Sequence, residues 1–172
     1  MDSSDSFERF DRTQRGPWVL LMHAAAAGTL APAILADGLG SWKFLLYGMV
    51  VFWELLAFGF LHLNLRDEGD RLEVRFGPLQ IPFCHTTIKY DEITSFEAAR
   101  SGLMDGWGIH WNPKHGWIYN IWGYDCVKIM RGEKPLRIGT NDLEGLLALL
   151  QEKAPAAAAA EDGPAEKQAE DA

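Results

Sequence analysis

Cysteine is scarce in this chain of 172 residues, and its two cysteines, Cys84 and Cys126, show no CxxC spacing. Both are expected to be reduced thiols of a folded core. A zinc site needs three or four converging ligands. The available side chains, His85, His110 and His115 together with the two cysteines, contain no pair with ligand-motif spacing. No metal or other cofactor is therefore expected.

Positive charge is also in short supply. The net charge is −8, and residues 66–153 carry eleven basic and thirteen acidic side chains. Nucleic acid binding requires a positive field, so no nucleic acid partner is expected. The histidines lack ordered Ser or Cys partners, and no Gly-rich phosphate loop follows a strand. The sequence therefore predicts a protein that is not an enzyme.

Charge is missing altogether from one long stretch and nearly so from a second. Residues 17–36 contain no Asp, Glu, Lys or Arg, and residues 44–65 contain one such residue, Glu54. At about 1.5 Å per residue, each stretch can cross a hydrocarbon core of roughly 30 Å as a helix. The sequence therefore predicts a transmembrane helical hairpin over residues 17–65, with Trp18 and Trp42 at the membrane interfaces.

The segment before the hairpin, residues 1–16, is long and of mixed charge, unlike the short basic start of a signal peptide. Arginines flank the hairpin on both sides: Arg9, Arg12, Arg15, Arg66, Arg71 and Arg75. Because Lys and Arg are enriched in cytoplasmic flanks, both termini are expected to be cytoplasmic. The expected location is the inner (plasma) membrane, as a multi-pass protein.

Residues 67–153 form the polar domain, in which apolar side chains alternate with polar ones, as in half-buried strands. Leucines at 143, 146, 147 and 150 predict a C-terminal helix, capped by Thr140 or Asn141. The predicted class is α+β, a small β-barrel or sandwich capped by this helix. The Ala-rich acidic tail, residues 154–172, is expected to be disordered.

The stretch GWGIHWNPKHGWIYNIWG, residues 106–123, predicts a β-hairpin that turns at residues 112–116. Pairing Trp111 with Trp117 places six side chains on one face: Trp107, Ile109, Trp111, Trp117, Tyr119 and Ile121. Because this face is apolar and aromatic, it is predicted to belong to the core. The other face leaves His110, Asn120 and Trp122 as candidates for contact with a partner.

Several short motifs resemble the bacterial pleckstrin-homology-like (PH-like) domain. They are GWGI at residues 106–109, YN at 119–120, Gly123, Val127 and IGT at 138–140, followed by an acidic residue and a leucine helix. In related small membrane proteins this domain follows two transmembrane helices, as in this chain. The resemblance implies a bent β-barrel capped by the C-terminal helix and no catalytic residues. His110 departs from the arginine of many relatives.

Three polar side chains are predicted to lie inside the membrane. Glu54 is placed near the midplane, level with Thr29 of the first span, and His23 lies about two turns nearer the cytoplasm. A hydrogen bond from Thr29, or to a backbone carbonyl, would lock the hairpin or a homodimer. The alternative is a proton or substrate path through Glu54 and His23. Haem ligation by His23 and His62 is not favoured, because the two residues lie at different depths.

A basic set in one hairpin is the candidate anion or partner patch: Lys128, Arg131, Lys134 and Arg137, with His110 nearby. An ordinary solvated hairpin edge is the alternative. The expected function is a non-enzymatic integral membrane protein that presents a cytoplasmic PH-like domain for protein or lipid binding and scaffolding. The alternative is a small transport or proton-relay component that uses Glu54. The expected partners are membrane lipids, another membrane or cytoplasmic protein, and further copies of the chain.

Overall fold

The computed structural model of the chain describes residues 10–36, 38–78, 84–102 and 107–158. The helices of the described residues are α1 (Trp18–Leu35), α2 (Trp42–Gly59), α3 (Leu143–Lys153) and α4 (Pro155–Ala158). The strands are β1 (Asp11–Gln14), β2 (Leu63–Asp67), β3 (Arg71–Phe76), β4 (His85–Lys89), β5 (Ser95–Arg100), β6 (Gly108–Asn112), β7 (Gly116–Asn120), β8 (Asp125–Arg131) and β9 (Lys134–Gly139). The predicted α+β class is confirmed.

Helices α1 and α2 pack against each other as an antiparallel pair and are long and apolar enough to cross a membrane. Only 11% of the residues of each helix are buried. The buried positions include Ala26 and Ala33 of α1 and Ala57 and Gly59 of α2, where small side chains allow close approach. No large apolar side chain of either helix is buried: many are exposed, among them Leu20, Leu35 and Phe44, and the others are half-buried.

The second helix is shorter than predicted. Its last residue is Gly59, whereas the apolar run continues to Leu65. The run continues because β2 begins at Leu63 and directs Leu63 and Leu65 into the core of the domain. One continuous apolar run therefore belongs first to a helix and then to a strand. The spacing of its apolar residues changes from helical to alternating within residues 60–63. The first helix matches its predicted span within one residue at each end.

The strands of the described residues form two sheets and no closed barrel. The N-terminal sheet has the order β1-β2-β3-β4, and the C-terminal sheet has the order β5-β8-β9-β7-β6. All neighbours are antiparallel except β7 and β9, which are parallel. One apolar core joins both sheets and α3, with Phe76 of the first sheet 6.4 Å from Tyr119 of the second.

Strand β1 was not expected. It precedes α1 in the sequence and pairs with β2, which follows α2, in the register Asp11 to Arg66 and Gln14 to Leu63. The chain therefore leaves the N-terminal sheet, runs through the helical hairpin and returns to the same sheet. The segment before the hairpin and the domain after it lie on the same side of the two helices.

The predicted hairpin of β6 and β7 has the expected register, with Trp111 opposite Trp117 and Ile109 opposite Tyr119. Its predicted core face is only partly buried. Tyr119 is buried and Ile109 packs against the core, but Trp111 and Trp117 are 59% and 47% exposed. The two tryptophans continue a row of side chains that crosses the C-terminal sheet. This row is buried on the inner strands, but it extends beyond the core where it reaches β6, the edge strand.

The C-terminal end differs from the predictions in two details. The N-cap of α3 is Asp142, whose carboxylate accepts a hydrogen bond from the Gly145 amide at 3.0 Å, instead of Thr140 or Asn141. The predicted disorder does not begin at residue 154, because α4 follows and both Ala154 and Ala157 are buried in the core. The remainder of the predicted tail, residues 159–172, lies outside the described residues, as do residues 1–9.

Candidate functional site

One ionisable side chain of α1 contacts one of α2. His23 of α1 lies with its Nδ1 atom 3.1 Å from Oε1 and 3.0 Å from Oε2 of Glu54 in α2. The side chains are 51% and 49% exposed. A carboxylate and an imidazole thus form one polar group on the outward face of an otherwise apolar helical pair.

The predicted bond between Glu54 and Thr29 is not formed. The Thr29 hydroxyl instead donates to the Ala25 carbonyl of its own helix at 2.7 Å. The difference follows from the early end of α2. Glu54 lies five residues before the last residue of α2, and His23 lies five residues after the first residue of α1. In an antiparallel pair these positions are level, about 7.5 Å inside the domain-side ends of the helices and not at the midplane.

The basic set is divided between two places. Lys128 and Arg137 are opposite each other on β8 and β9, and His110 follows in the same row beyond Ile118. Lys128 donates to Glu97 at 2.7 Å, which offsets part of its charge. The other members, Arg131 and Lys134, face each other across the turn and line a shallow cavity of about 410 Å³ with Glu92. The structure therefore does not bring the five side chains into one patch.

Three tryptophans meet where the helical hairpin joins the domain. The rings of Trp107 and Trp122 are stacked with centroids 5.2 Å apart, and Trp18 lies 5.1 Å from Trp107 and 6.2 Å from Trp122. We call these residues the tryptophan cluster. The side-chain amide of Gln14 stabilises this cluster by donating a hydrogen bond to the Trp122 carbonyl at 2.6 Å. Trp18 was expected at the membrane interface, but only tertiary structure brings it to the other two rings.

A cavity of about 340 Å³ opens beside this cluster. Its lining is predominantly apolar and comes from α1, from the residue that follows α2, and from β6 and the residues next to β6 and β7: Trp18, Met22, Phe60, Trp107, Gly108 and Ile121. Gly108 has a φ of 102°, and a Cβ atom there would lie 3.3 Å from the Phe60 ring. This cavity could not be predicted from the sequence, because its walls are separated by up to about a hundred residues.

Two arginines and one histidine lie near this junction, and one of the arginines, Arg75, is paired with Glu73 at 2.7 Å. Arg15 precedes α1, and His62 follows α2. Partial burial, and then the positive charges of Arg15 and Arg75, lower the pKa of His62 below its ordinary value of 6.5. His62 is therefore neutral at pH 7, and the two arginines supply the positive charge around it.

Neither a metal site nor a comparison with known proteins identifies a function for these sites. Within the described parts of the chain, no three His, Cys, Asp or Glu side chains form a group that could hold a metal ion. No protein-family model matches the sequence, and no curated protein is significantly similar to it. The described residues offer three candidate sites: the exposed pair Trp111 and Trp117, the His23–Glu54 pair, and the cavity beside the tryptophan cluster, which we call the junction cavity.

Proposed function

We propose that this chain is a non-enzymatic protein of the inner (plasma) membrane, anchored by α1 and α2, whose cytoplasmic domain binds another protein. The arginines that flank the helices support a cytoplasmic placement of both termini. The pairing of β1 with β2 agrees with this, because it keeps both flanks on one side. We further propose that the domain is PH-like, on the support of its GWGI and IGT motifs and its C-terminal helix α3.

The observation that carries the binding role is the exposed pair Trp111 and Trp117. The two residues are direct cross-strand neighbours and expose about half of their surface. Trp111 is three residues from Gly108, about 10 Å along β6. Tryptophan is the residue type most enriched at the energetic centres of protein interfaces, and rings exposed together form an apolar patch.

Site-specific photocrosslinking in intact membranes tests this role. A photoreactive phenylalanine analogue replaces Trp117 in one variant and Tyr124 in a control, since Tyr124 is also an exposed aromatic residue of the domain. We expect a discrete crosslinked partner from position 117 and none from position 124. Trp111→Ala should weaken capture of that partner by about 2 kcal/mol or more in binding free energy. Equal crosslinking from both positions would contradict the proposal.

The His23–Glu54 contact favours a second candidate function, a proton relay or small transport component. A carboxylate hydrogen-bonded to an imidazole can exchange a proton between two defined atoms, and intramembrane ionisable pairs mark such paths. Proton flux into liposomes that contain the full-length protein tests it with a trapped pH dye. The relay predicts flux above that of empty liposomes and its loss in Glu54→Gln, while wild-type flux at the empty-liposome level would exclude it.

A further inference from the structure

The junction cavity lies at the depth where a bilayer changes from hydrocarbon to headgroups, if the proposed membrane insertion holds. Trp18 is the first residue of α1, and Phe60 follows the last residue of α2. Each helix has 18 residues and is about 27 Å long, close to the roughly 30 Å of the hydrocarbon core. The helix ends therefore coincide with the edge of the core, and Met22 lies one turn deeper.

The cavity is built for a molecule that is mainly apolar. Met22, Phe60 and Ile121 contribute side chains without hydrogen-bonding groups to its walls. Its volume of about 340 Å³ falls within the range of about 300–1,000 Å³ that is typical of small-molecule sites. Gly108 keeps one wall open, since a side chain there would meet the Phe60 ring.

One lining residue, Trp18, carries a polar atom that has no hydrogen-bond partner among the described residues. The indole N–H of Trp18 is buried, and none of the described residues accepts its hydrogen bond. Leaving a buried donor unpaired costs about 1–3 kcal/mol, so such an atom is normally satisfied by a ligand or water. The other indole of the lining differs, because Trp107 donates to the Gly123 carbonyl at 3.4 Å.

Positive charge lies next to the site at the level of the headgroups. Arg15 is three residues before Trp18, and His62, which is influenced by both Arg15 and Arg75, is two residues after Phe60. Arg15 is exposed and Arg75 is partly exposed. Arg75 is already paired with Glu73 at 2.7 Å, so an anionic or zwitterionic head would meet chiefly Arg15 when its chain lay among Met22, Phe60 and Ile121.

We propose that the junction cavity binds one fatty-acyl chain of an amphipathic lipid, whose carbonyl oxygen accepts the hydrogen bond of the Trp18 indole. The acyl chain and its carbonyl are shared by phospholipids and by free fatty acids, and either source satisfies the cavity. This inference rests on the proposed membrane insertion but not on a protein partner at Trp117. It gives the junction a specific lipid site, distinct from the general lipid contact of the outward helix faces.

Native mass spectrometry of the full-length protein tests the proposal. The protein is placed in nanodiscs of phosphatidylcholine and phosphatidylglycerol, with or without oleic acid, and is then washed in detergent. We expect one retained lipid per chain, and its mass tells phospholipid from fatty acid. Met22→Trp fills the cavity and should abolish retention. Leu21→Trp is the matched control, because Leu21 is exposed on the adjacent position of the same turn, and it should retain the lipid.

A second pair of variants tests the hydrogen bond from Trp18. This pair also tests lipid binding in the cavity if Met22→Trp does not fold. Trp18→Phe should lower the retained fraction by about two- to tenfold, the usual effect of one neutral hydrogen bond. Trp107→Phe removes an indole from the same cluster, but its N–H already has a protein acceptor, so retention should be unchanged. Equal retention in Trp18→Phe and wild type, or in Met22→Trp and wild type, overturns the proposal.

The outcomes also separate this inference from the proposed function. If alkaline carbonate releases wild-type protein from membranes, membrane insertion itself fails and the lipid site fails with it. If the protein stays in the membrane fraction but retains no lipid, only the acyl-chain site is overturned. The crosslinking result at position 117 is independent of both.

Discussion

At the scale of single residues, the contact between His23 and Glu54 explains how one acidic residue is accommodated in the second apolar helix. In the membrane placement proposed above, a carboxylate without a partner opposes insertion by up to about 2.5–3.5 kcal/mol, the cost at the centre of a spanning helix. The imidazole Nδ1 of His23, 3.0–3.1 Å from both carboxylate oxygens, supplies a partner within the same hairpin. The depth of the pair, about 7.5 Å from the helix ends, shortens the path to the headgroup region.

A double-mutant cycle measures this contact. We expect His23→Leu and Glu54→Leu to be coupled by about 0.6 kcal/mol, and by no more than about 1.7 kcal/mol, as for other hydrogen bonds between membrane helices. The free energy of separating the helices in a bilayer is the quantity to measure. The cycle of Thr29→Val with Glu54→Leu serves as the control. It should give no coupling, because Thr29 bonds within its own helix, and coupling there would restore the original Thr29 hypothesis.

A second single-residue prediction concerns the buried carboxylate of Asp67, which is 4% exposed. It accepts hydrogen bonds from the Tyr90 hydroxyl at 2.9 Å and the Gly69 amide at 2.7 Å. Burial, and then the bond to Asp67, raise the pKa of Tyr90, so the phenol remains a donor at all ordinary pH values. Tyr90→Phe should reduce the free energy of unfolding by roughly 1.5–3 kcal/mol, the range for hydrogen bonds to charged groups.

Thermal or denaturant unfolding of the full-length protein in detergent checks this value. The control is Tyr124→Phe, which removes the hydroxyl from an exposed tyrosine of the same domain. Its effect should stay within about 0.5 kcal/mol, as for ordinary surface substitutions. A loss in Tyr90→Phe no larger than in the control would mean that Asp67 is satisfied without the phenol.

At the scale of elements, β1 and α3 are linked by one ion pair. Arg12 of β1 donates from Nε to the Asp142 carboxylate at 2.7 Å, and the same carboxylate caps α3 through the Gly145 amide. The hydrogen bond from Arg12, followed by that from Gly145, lowers the pKa of Asp142 below its ordinary value of 3.8. The segment before α1 is thereby linked to α3 of the domain core.

The lowered pKa sets the pH dependence of this link. Since the folded state holds the carboxylate charged, the stabilisation is fully present above pH 3.8 and is lost as the pH falls through the folded pKa of Asp142. Asp142→Asn keeps a good N-cap but removes the charge. Both side chains are partly exposed, so the variant should lose at most about 1 kcal/mol at pH 7.

Melting temperatures of the wild-type and Asp142→Asn proteins between pH 7 and pH 3 test this expectation. Their difference should shrink as the pH falls below 3.8. Asp125→Asn is the control, because its pair with Arg100 is longer, at 3.7 Å, and more exposed. A gap between wild type and Asp142→Asn that is independent of pH would show that the charge of Asp142 does not contribute.

Individual elements also show what could be read from the sequence. Helix α1 was predicted within one residue at each end because lack of charge alone delimits it. The register of the hairpin of β6 and β7 followed from its turn and its alternation. Strand β1 could not be predicted, because DRTQ has no apolar alternation and its partner β2 lies about fifty residues away. Exposure of Trp117 was missed because alternation assigns a face but does not show where the core ends.

The candidate sites could likewise be predicted only in part from the sequence. Glu54 and His23 were recognised as polar residues in apolar runs, but their pairing depends on where α2 ends. The end of α2 was hidden because β2 continues the apolar composition. The tryptophan cluster and the junction cavity depend on contacts between segments distant in sequence, which one sequence alone does not reveal.

At the scale of the whole molecule, the helical hairpin and the domain are joined by more than the chain itself. Strand pairing between β1 and β2, the tryptophan cluster and a close contact at Gly77 all lie at the junction. At Gly77, which follows β3, a Cβ atom would lie 2.5 Å from the Gly59 carbonyl oxygen and 2.8 Å from that of Phe58. The end of α2 therefore rests directly on the backbone of the N-terminal sheet, which couples the position of the helices to that of the domain.

A matched pair of glycine substitutions tests this coupling. Gly77 and Gly132 have nearly the same left-handed backbone, with φ of 61° and 59°, but nothing lies within 4 Å of a Cβ atom at Gly132. Gly132→Ala should therefore cost only the backbone strain of roughly 1–2 kcal/mol. Gly77→Ala should cost about 1–3 kcal/mol more, because the added methyl group overlaps backbone atoms of α2 that cannot rotate away.

Unfolding of the full-length proteins gives the two free energies, and spin labels on α2 and β8 give the distance between helix and domain. We expect that distance to change or broaden only in Gly77→Ala, because relief of the overlap must separate α2 from β3. Equal free energies and unchanged distances in the two variants would mean that the contact at Gly77 does not hold the domain against the helices, and that the strand pairing and the tryptophan cluster suffice.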